Sequence, residues 1–182
     1  MSTPATAEAA DHPSVARFRR LLADLGHPDT VVALPTSART AAEAAAALGT
    51  TAGSIASSIV FGVPTPSADP TPLLVVTSGA HRVDTARVAR LIGAERLQRV
   101  DAAFVRAASG YAIGGVAPIG WRRTTAAGTA ASDQNYRPPT LIDSTLADHP
   151  RLWAAAGHPH CVFETTYADL VRLTGGQVAD VA

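Results

Sequence analysis

The sequence contains no lysine: all 15 basic residues among its 182 are arginine. Apart from the N-terminal amine, this removes every amine nucleophile, Schiff-base former and lysine clamp for phosphate. The 15 arginines are balanced by 15 acidic residues, and a chain without net charge has no global field with which to attract a polyanion. Any nucleic-acid contact must therefore be local. Aromatic residues make up only 5% of the chain, which argues against a stacking platform for bases. The core must instead be built from Val, Leu, Ile and Ala. One cysteine, Cys161, excludes an internal disulfide. No apolar run approaches the roughly 20 residues needed to cross a bilayer. Residues 1–11 lack the basic-then-apolar order of a signal peptide, so neither secretion nor membrane insertion is expected, and the expected location is the cytoplasm.

What is present is a hydrophobic content of 47%, enough for one sizeable core and short for two. The expected organisation is a flexible N-terminal tail over residues 1–11 and a single domain over 12–182. Val15, Phe18, Leu21, Leu22 and Leu25 recur at helical spacing, with Pro13 before them and Gly26 after. Arg17, Arg19 and Arg20 form the outer face of this helix, most simply a solvated one. Thr30 to Leu34 reads as a strand, and Thr40 with Glu43 has capping-box spacing ahead of an alanine-rich helix ending at Gly49. Ile55 to Val63 and Leu73 to Thr77 read as neighbouring strands around a proline-punctuated loop. Asp84 to Ile92 and Asp101 to Ser109 have the punctuation of short helices. The polar stretch Arg122 to Pro139 reads as an inserted surface loop. Beyond it, the expectation is a strand at Thr140–Asp143, a helix at Pro150–Ala156, a strand at His160–Thr165 and a helix at Ala168–Leu173. No internal repeat is found. Strands and helices interleave without a strict βαβ rhythm, which predicts an α/β protein with a mixed sheet.

Several segments, in order, resemble the YbaK-type aminoacyl-tRNA deacylases, free-standing relatives of the editing domain inserted in bacterial prolyl-tRNA synthetases. They are Arg39 to Gly49, Ile55 to Phe61, Leu74 to Gly79 with Arg82-Val-Asp84, Gly93-Ala-Glu95, Gly110 to Pro118, Leu141-Ile-Asp143, Trp153 to Gly157 and Leu170 to Asp180. Each piece alone is weak and the ordered set is fairly specific. The resemblance implies a partly barrel-like mixed sheet with flanking helices. It also implies hydrolysis of the ester joining a wrong, small amino acid to the tRNA 3′ end, with no metal and no cofactor. The implied partners are aminoacyl-tRNA and, by association, an aminoacyl-tRNA synthetase.

Gly114-Gly115-Val116-Ala117-Pro118 matches the family's Gly-x-x-x-Pro loop. Glycines let backbone N–H groups approach a ligand, and amide donors of this kind stabilise an oxyanion by about 3 kcal/mol each. The alternative is an ordinary tight turn. Asp143 matches an acidic position bordering the pocket, where a carboxylate orients water or holds the substrate amino group; a turn or helix cap before Ser144 is an equally good role. The resemblance places Ser57, Ser58, Thr77, Ser78, Gly79, His81 and Pro118 around the substrate, although Thr77, Ser78 and Gly79 also fit turn chemistry.

Two departures stand out. Ser57 occupies the position of the family's lysine and cannot supply its charge. His81 stands where asparagine is often found. Arg82 or Arg39 is a candidate to replace the lost cation. Otherwise the site is redirected to another substrate in a specialised biosynthetic reaction, or the protein binds tRNA or a synthetase without catalysis. Ser57, with His81 or His158 as base and Asp143 as orienter, has the residue types of a nucleophilic triad, yet there is no Gly-x-Ser-x-Gly elbow and a triad is identified by geometry. His158, His160 and Cys161 have metal-ligand chemistry but no evident fourth ligand; turn histidines and a buried strand cysteine are the better explanation.

Overall fold

The computed structural model describes residues 4–36, 38, 40–66, 69–123 and 136–182. Arg39 and most of the inserted stretch 122–139 lie outside the described residues. Trp121, just before that stretch, and Tyr136, within it, form an isolated antiparallel bridge.

The chain runs through α1 (Pro4–Ala10), α2 (Pro13–Asp24), β1 (Val31–Ala33), α3 (Ala41–Leu48), β2 (Ile55–Val63), β3 (Thr71–Ser78) and α4 (Thr85–Leu91). It continues through β4 (Gln98–Arg99), α5 (Ala102–Ser109), β5 (Thr140–Asp143), β6 (Leu152–His158), β7 (Cys161–Thr165), α6 (Tyr167–Thr174) and β8 (Gln177–Ala179). Among the described residues the strands form one mixed sheet in the order β1-β7-β6-β2-β3-β5-β8, with β4 attached to β2. The mixed α/β architecture is the one the sequence predicts.

Central strand β3 is buried on both faces by simple alternation. Leu74 and Val76 enter the main core with Phe18, Leu22, Trp121, Ile142 and Phe163, while Leu73 and Val75 pack with Phe61, Val88 and Leu141 on the other side. The capping box is present, with Thr40 Oγ1 accepting from the Glu43 amide and the Glu43 carboxylate from the Thr40 amide, each at 3.2 Å.

Two expectations are corrected. The segment read as a helix over Pro150–Ala156 is strand β6, which pairs with β7 antiparallel and with β2 in parallel. Its Leu152, Ala154 and Ala156 are buried while Trp153 and Ala155 are less so, a period of two. Alanine favours helices by at most about 1 kcal/mol per residue, which ladders on both edges outweigh. The loose tail expected over residues 1–11 is helical over Pro4–Ala10. There Ala9 is buried in the main core, and the Cys161 thiol donates to its carbonyl at 3.4 Å.

One feature of the sheet positions the site. On the edge of β2 away from β3, β6 pairs only with Ile55 and Ala56, and β4 only with Phe61 and Gly62. Between these contacts, Ser57 to Val60 have no partner strand on that side among the described residues, and the sheet opens there.

Candidate functional site

Antiparallel pairing sets Ser57 opposite Thr77 and Ala56 opposite Ser78, so the residues read from separate segments meet at one end of β2 and β3. Gly79 follows immediately, its amide donating to Ile55 O at 2.8 Å. A Cβ at Gly79 would lie 2.3 Å from the Ala41 Cβ and 2.6 Å from the Ala52 carbonyl oxygen. Glycine is needed here because α3 and the turn before β2 press on the backbone.

Asp143, at the end of β5, is buried, with 1% of its side chain exposed. Its Oδ2 accepts from Thr77 Oγ1 at 3.1 Å, the Ser78 amide at 3.0 Å and His81 Nδ1 at 3.1 Å. Its Oδ1 accepts from the Thr145 amide at 3.0 Å and hydroxyl at 2.7 Å. Burial pushes the carboxyl pKa up, but the Ser78 amide, both Thr145 donors and His81 outweigh it and hold the group below its ordinary value. The capping reading of Asp143 holds, since it caps the turn Ser144–Asp148, and the substrate-holding reading is modified, because its saturated, buried oxygens leave no lone pair open for a substrate. Its reach into the cavity is through His81. A carboxylate only accepts, so the proton of neutral His81 sits on Nδ1 and the Nε2 lone pair is free. Among the described residues Nε2 makes no hydrogen bond, and 34% of the side chain is exposed.

Two recesses meet at the opening in the sheet. The first, about 640 Å³, is lined by Ser57, Thr77, Ser78, Gly79, His81, Arg82 and Arg99 over an apolar floor including Phe61, Leu97 and Val100. The second, about 280 Å³, is mainly apolar, lined by Ala41, Ala44, Ile55, Ala56, Ile113, Gly114, Val116, Trp153 and Ala154, with Thr40, Ser57 and Ser58. Ala41, Ser57 and Ile59 border both. Ser58 Oγ is buried without a hydrogen-bond partner among the described residues. Ser57 makes no hydrogen bond to His81 among the described residues, and His158 lies in another cluster, so the triad residue types are not assembled as one.

The Gly-x-x-x-Pro segment is a non-repetitive turn. Gly114 adopts φ +86° and borders the apolar recess, as does Val116. Gly115 is corrected as an open donor, because its amide is engaged by Ala112 O at 3.0 Å. Ala117 is fully buried, with its carbonyl accepting from Trp121 Nε1 at 2.9 Å. Pro118 borders a separate cavity of about 370 Å³ with Leu21, Leu25 and Tyr136, so it is not gathered with Ser57. A Cβ at Gly115 would fall 2.7–2.9 Å from the backbone of His158. Gly115→Ala is therefore expected to cost about 2 kcal/mol through overpacking against main chain, read as a lowered Tm.

The ring of His158 lies against those of His12 and His160 in tilted contacts, with centroids 4.9 and 5.5 Å apart. No group of three or more His, Cys, Asp or Glu side chains among the described residues is placed to hold a metal ion. Burial first, then His12 and His160, push the His158 pKa down against the pull of Glu8. Its Nδ1 also accepts from the His160 amide at 3.2 Å, a bond that protonation at Nδ1 would break. Because the folded state disfavours the charged form, this group weakens folding as pH falls through the ordinary histidine value of about 6.5. Melting between pH 8 and pH 5 should show a smaller acid loss in His158→Gln than in the native protein.

The sequence profile described as aminoacyl-tRNA editing domain matches residues 35–173. A solved structure described as a candidate trans-editing enzyme for prolyl tRNA synthetase is 36% identical, with a TM-score of 0.78, and the match covers 93% of this chain and 97% of that one. A structure from work on epitope backbone grafting onto scaffold proteins is 37% identical, with a TM-score of 0.77 and the same coverage. A hypothetical protein 22% identical shares the fold, with a TM-score of 0.74 over 91% of this chain and 98% of that one.

Proposed function

Since the chain belongs to the aminoacyl-tRNA editing domain family, we propose that it is a trans-acting deacylase. In this reading it hydrolyses the ester between a small amino acid and the 3′-terminal ribose of tRNA, and the tRNA is one that prolyl-tRNA synthetase charges. The observation that carries this is the meeting of a small alanine-lined recess and a larger polar cavity at Ser57 and Ile59. In this reading the amino-acid side chain occupies the first and the terminal nucleoside the second, with the ester at their shared wall.

His81 Nε2 takes a proton from water as the oxygen attacks the acyl carbonyl. The turn at Gly114 offers main-chain N–H to the resulting oxyanion. The tetrahedral intermediate collapses, the C–O bond to ribose breaks, and the ribose oxygen takes the proton back from His81. The products are a free amino acid and tRNA with its terminal hydroxyl restored. Asp143 is a positioning residue that fixes the tautomer and ring direction of His81. Ser57 is a wall residue and the nucleophile is water. The proposed place of action is the cytoplasm, where aminoacyl-tRNA is made.

The test is ester loss from Ala-, Cys- and Ser-charged tRNA incubated with purified protein. Cleavage above the buffer rate for at least one supports the reading. Buffer rates for all three, with tRNA still bound, would make the protein a binding homologue.

A further inference from the structure

The cavity of about 370 Å³ that Pro118 borders shares no lining residue with the two recesses at β2, so an occupant there does not depend on the deacylase reading. It opens where two helices end: Leu21, Asp24 and Leu25 belong to the last turn of α2 and its cap, and Leu173 and Thr174 to the last turn of α6. Its base is apolar, with Ile119 and Leu173 buried and Leu21 and Leu25 half-buried beside them. The two threonines on its wall are engaged by main chain. Thr140 Oγ1 donates to Pro138 O at 2.9 Å, and Thr174 Oγ1 donates to Leu170 O at 2.8 Å and accepts from the Gly176 amide at 3.0 Å. The lining also carries one charge of each sign, Asp24 and Arg137, both exposed at the mouth. Among the described residues neither forms an ion pair or a hydrogen bond, with the other or with any third group.

Position gives each charge a need. Asp24 is the last residue of α2, where the negative end of the helix dipole disfavours a carboxylate and attracts a cation, and the last turn of α2 holds no basic residue. Arg172 reaches the Leu25 carbonyl from α6 at 3.0 Å, but its guanidinium is paired with Asp169. Arg137 stands at the carbonyl end of the other helix, its Nη1 3.6 Å from where a Cβ on Gly175 would lie. Arg123, over the Tyr136 ring at 5.1 Å from its centroid, adds to the positive potential on that wall. A ligand with a single charge would be attracted by one of Asp24 and Arg137 and repelled by the other. One that carries ammonium and carboxylate on the same carbon satisfies both. The apolar base takes the third substituent of that carbon, and the volume is within the range of small-molecule sites. We infer that this cavity binds a free α-amino acid with a branched apolar side chain, its ammonium on Asp24, its carboxylate on Arg137 and its side chain against Ile119 and Leu173.

The experiment follows backbone amide NMR shifts of the native protein titrated with L-leucine, N-acetyl-L-leucine, L-leucinamide and glycine. Leucine is expected to give saturable shifts at Ile119, Gly120, Leu173 and Thr174. It should bind about tenfold more tightly than N-acetyl-leucine or leucinamide, because each derivative loses one charge-assisted contact. Glycine, which has nothing to place on the apolar base, should bind at least about tenfold more weakly. Asp24→Asn should bring leucine and N-acetyl-leucine within about twofold of each other, and Arg137→Gln should do the same for leucine and leucinamide. Both positions are exposed, and amide spectra unchanged away from the cavity establish that the variants are folded. Four results each overturn the inference: no saturable leucine binding, equal binding of leucine and its two derivatives, shifts confined to Ser57 and Thr77 to Gly79, or a preference that either variant keeps. Failure of leucine to bind leaves the deacylase reading standing, and absence of ester cleavage leaves this site standing.

Discussion

Replacing His81 with glutamine is expected to lower the single-turnover rate of ester cleavage by a factor of about 10² to 10⁴, the usual contribution of a positioned general base. The change removes an imidazole nitrogen that has no partner among the described residues on the polar cavity wall, while glutamine's side-chain N–H₂ can still donate to Asp143. His81 is one-third exposed, so little packing is lost and Tm should move by no more than a few degrees. KM should change much less than kcat, because the imidazole acts on water rather than on the bound acyl group. A glutamine variant that cleaves at the native rate would remove His81 from the chemistry and leave its bond to Asp143 as a structural tie.

The second large effect is on folding. Asp143→Ala leaves the Thr77 hydroxyl and the Ser78 amide facing a buried void, and it uncaps the turn beginning at Ser144. A buried donor left unsatisfied costs about 1–3 kcal/mol, so a loss of about 3 kcal/mol is expected in urea unfolding at pH 7. Asp143→Asn should lose less, since one carbonyl oxygen remains, but its N–H₂ must face donors. The pH dependence has a definite sign. The folded-state pKa is depressed, so this carboxylate's contribution is complete above the unfolded value of about 3.9 and is lost as pH falls below it toward the folded value. The native protein should therefore lose stability more steeply than Asp143→Ala between pH 4 and pH 2. Cleavage should fall as well, because His81 loses the acceptor that orients it.

Much of the scaffold was legible because its signals are local and strong. The β-branched run Ile55–Val63 and the apolar run at Leu73–Thr77 became β2 and β3 within two residues of their expected ends. The aspartates ahead of α4 and α5 do cap them. The failures share a cause. Trp153-Ala-Ala-Ala is rich in a helix former, and only the two strands beside it make it a strand. β4 and β8 span two and three residues, too short for any periodicity. Arg99 was missed for that reason: nothing in Gln98-Arg99 shows that it reaches the cavity of Ser57.

The site was legible in part. Ser57, Thr77, Ser78, Gly79, His81 and Asp143 were named from four separate segments, and strand pairing and the Asp143 hydrogen bonds bring them together. The sequence could not reveal that Asp143 is saturated, that the Gly115 amide is occupied, or that Pro118 faces another cavity. Those are properties of side-chain direction and main-chain partners, which residue type does not fix.

The most direct measurement is a structure with a non-hydrolysable 3′-alanylamino-3′-deoxyadenosine. The account predicts the alanyl methyl in the recess of Ala41, Ala44 and Ala154, the acyl oxygen beside the Gly114 turn, and His81 Nε2 about 3 Å from a water facing the acyl carbon. An acyl group bound elsewhere, or His81 turned away from it with no water between them, would contradict it.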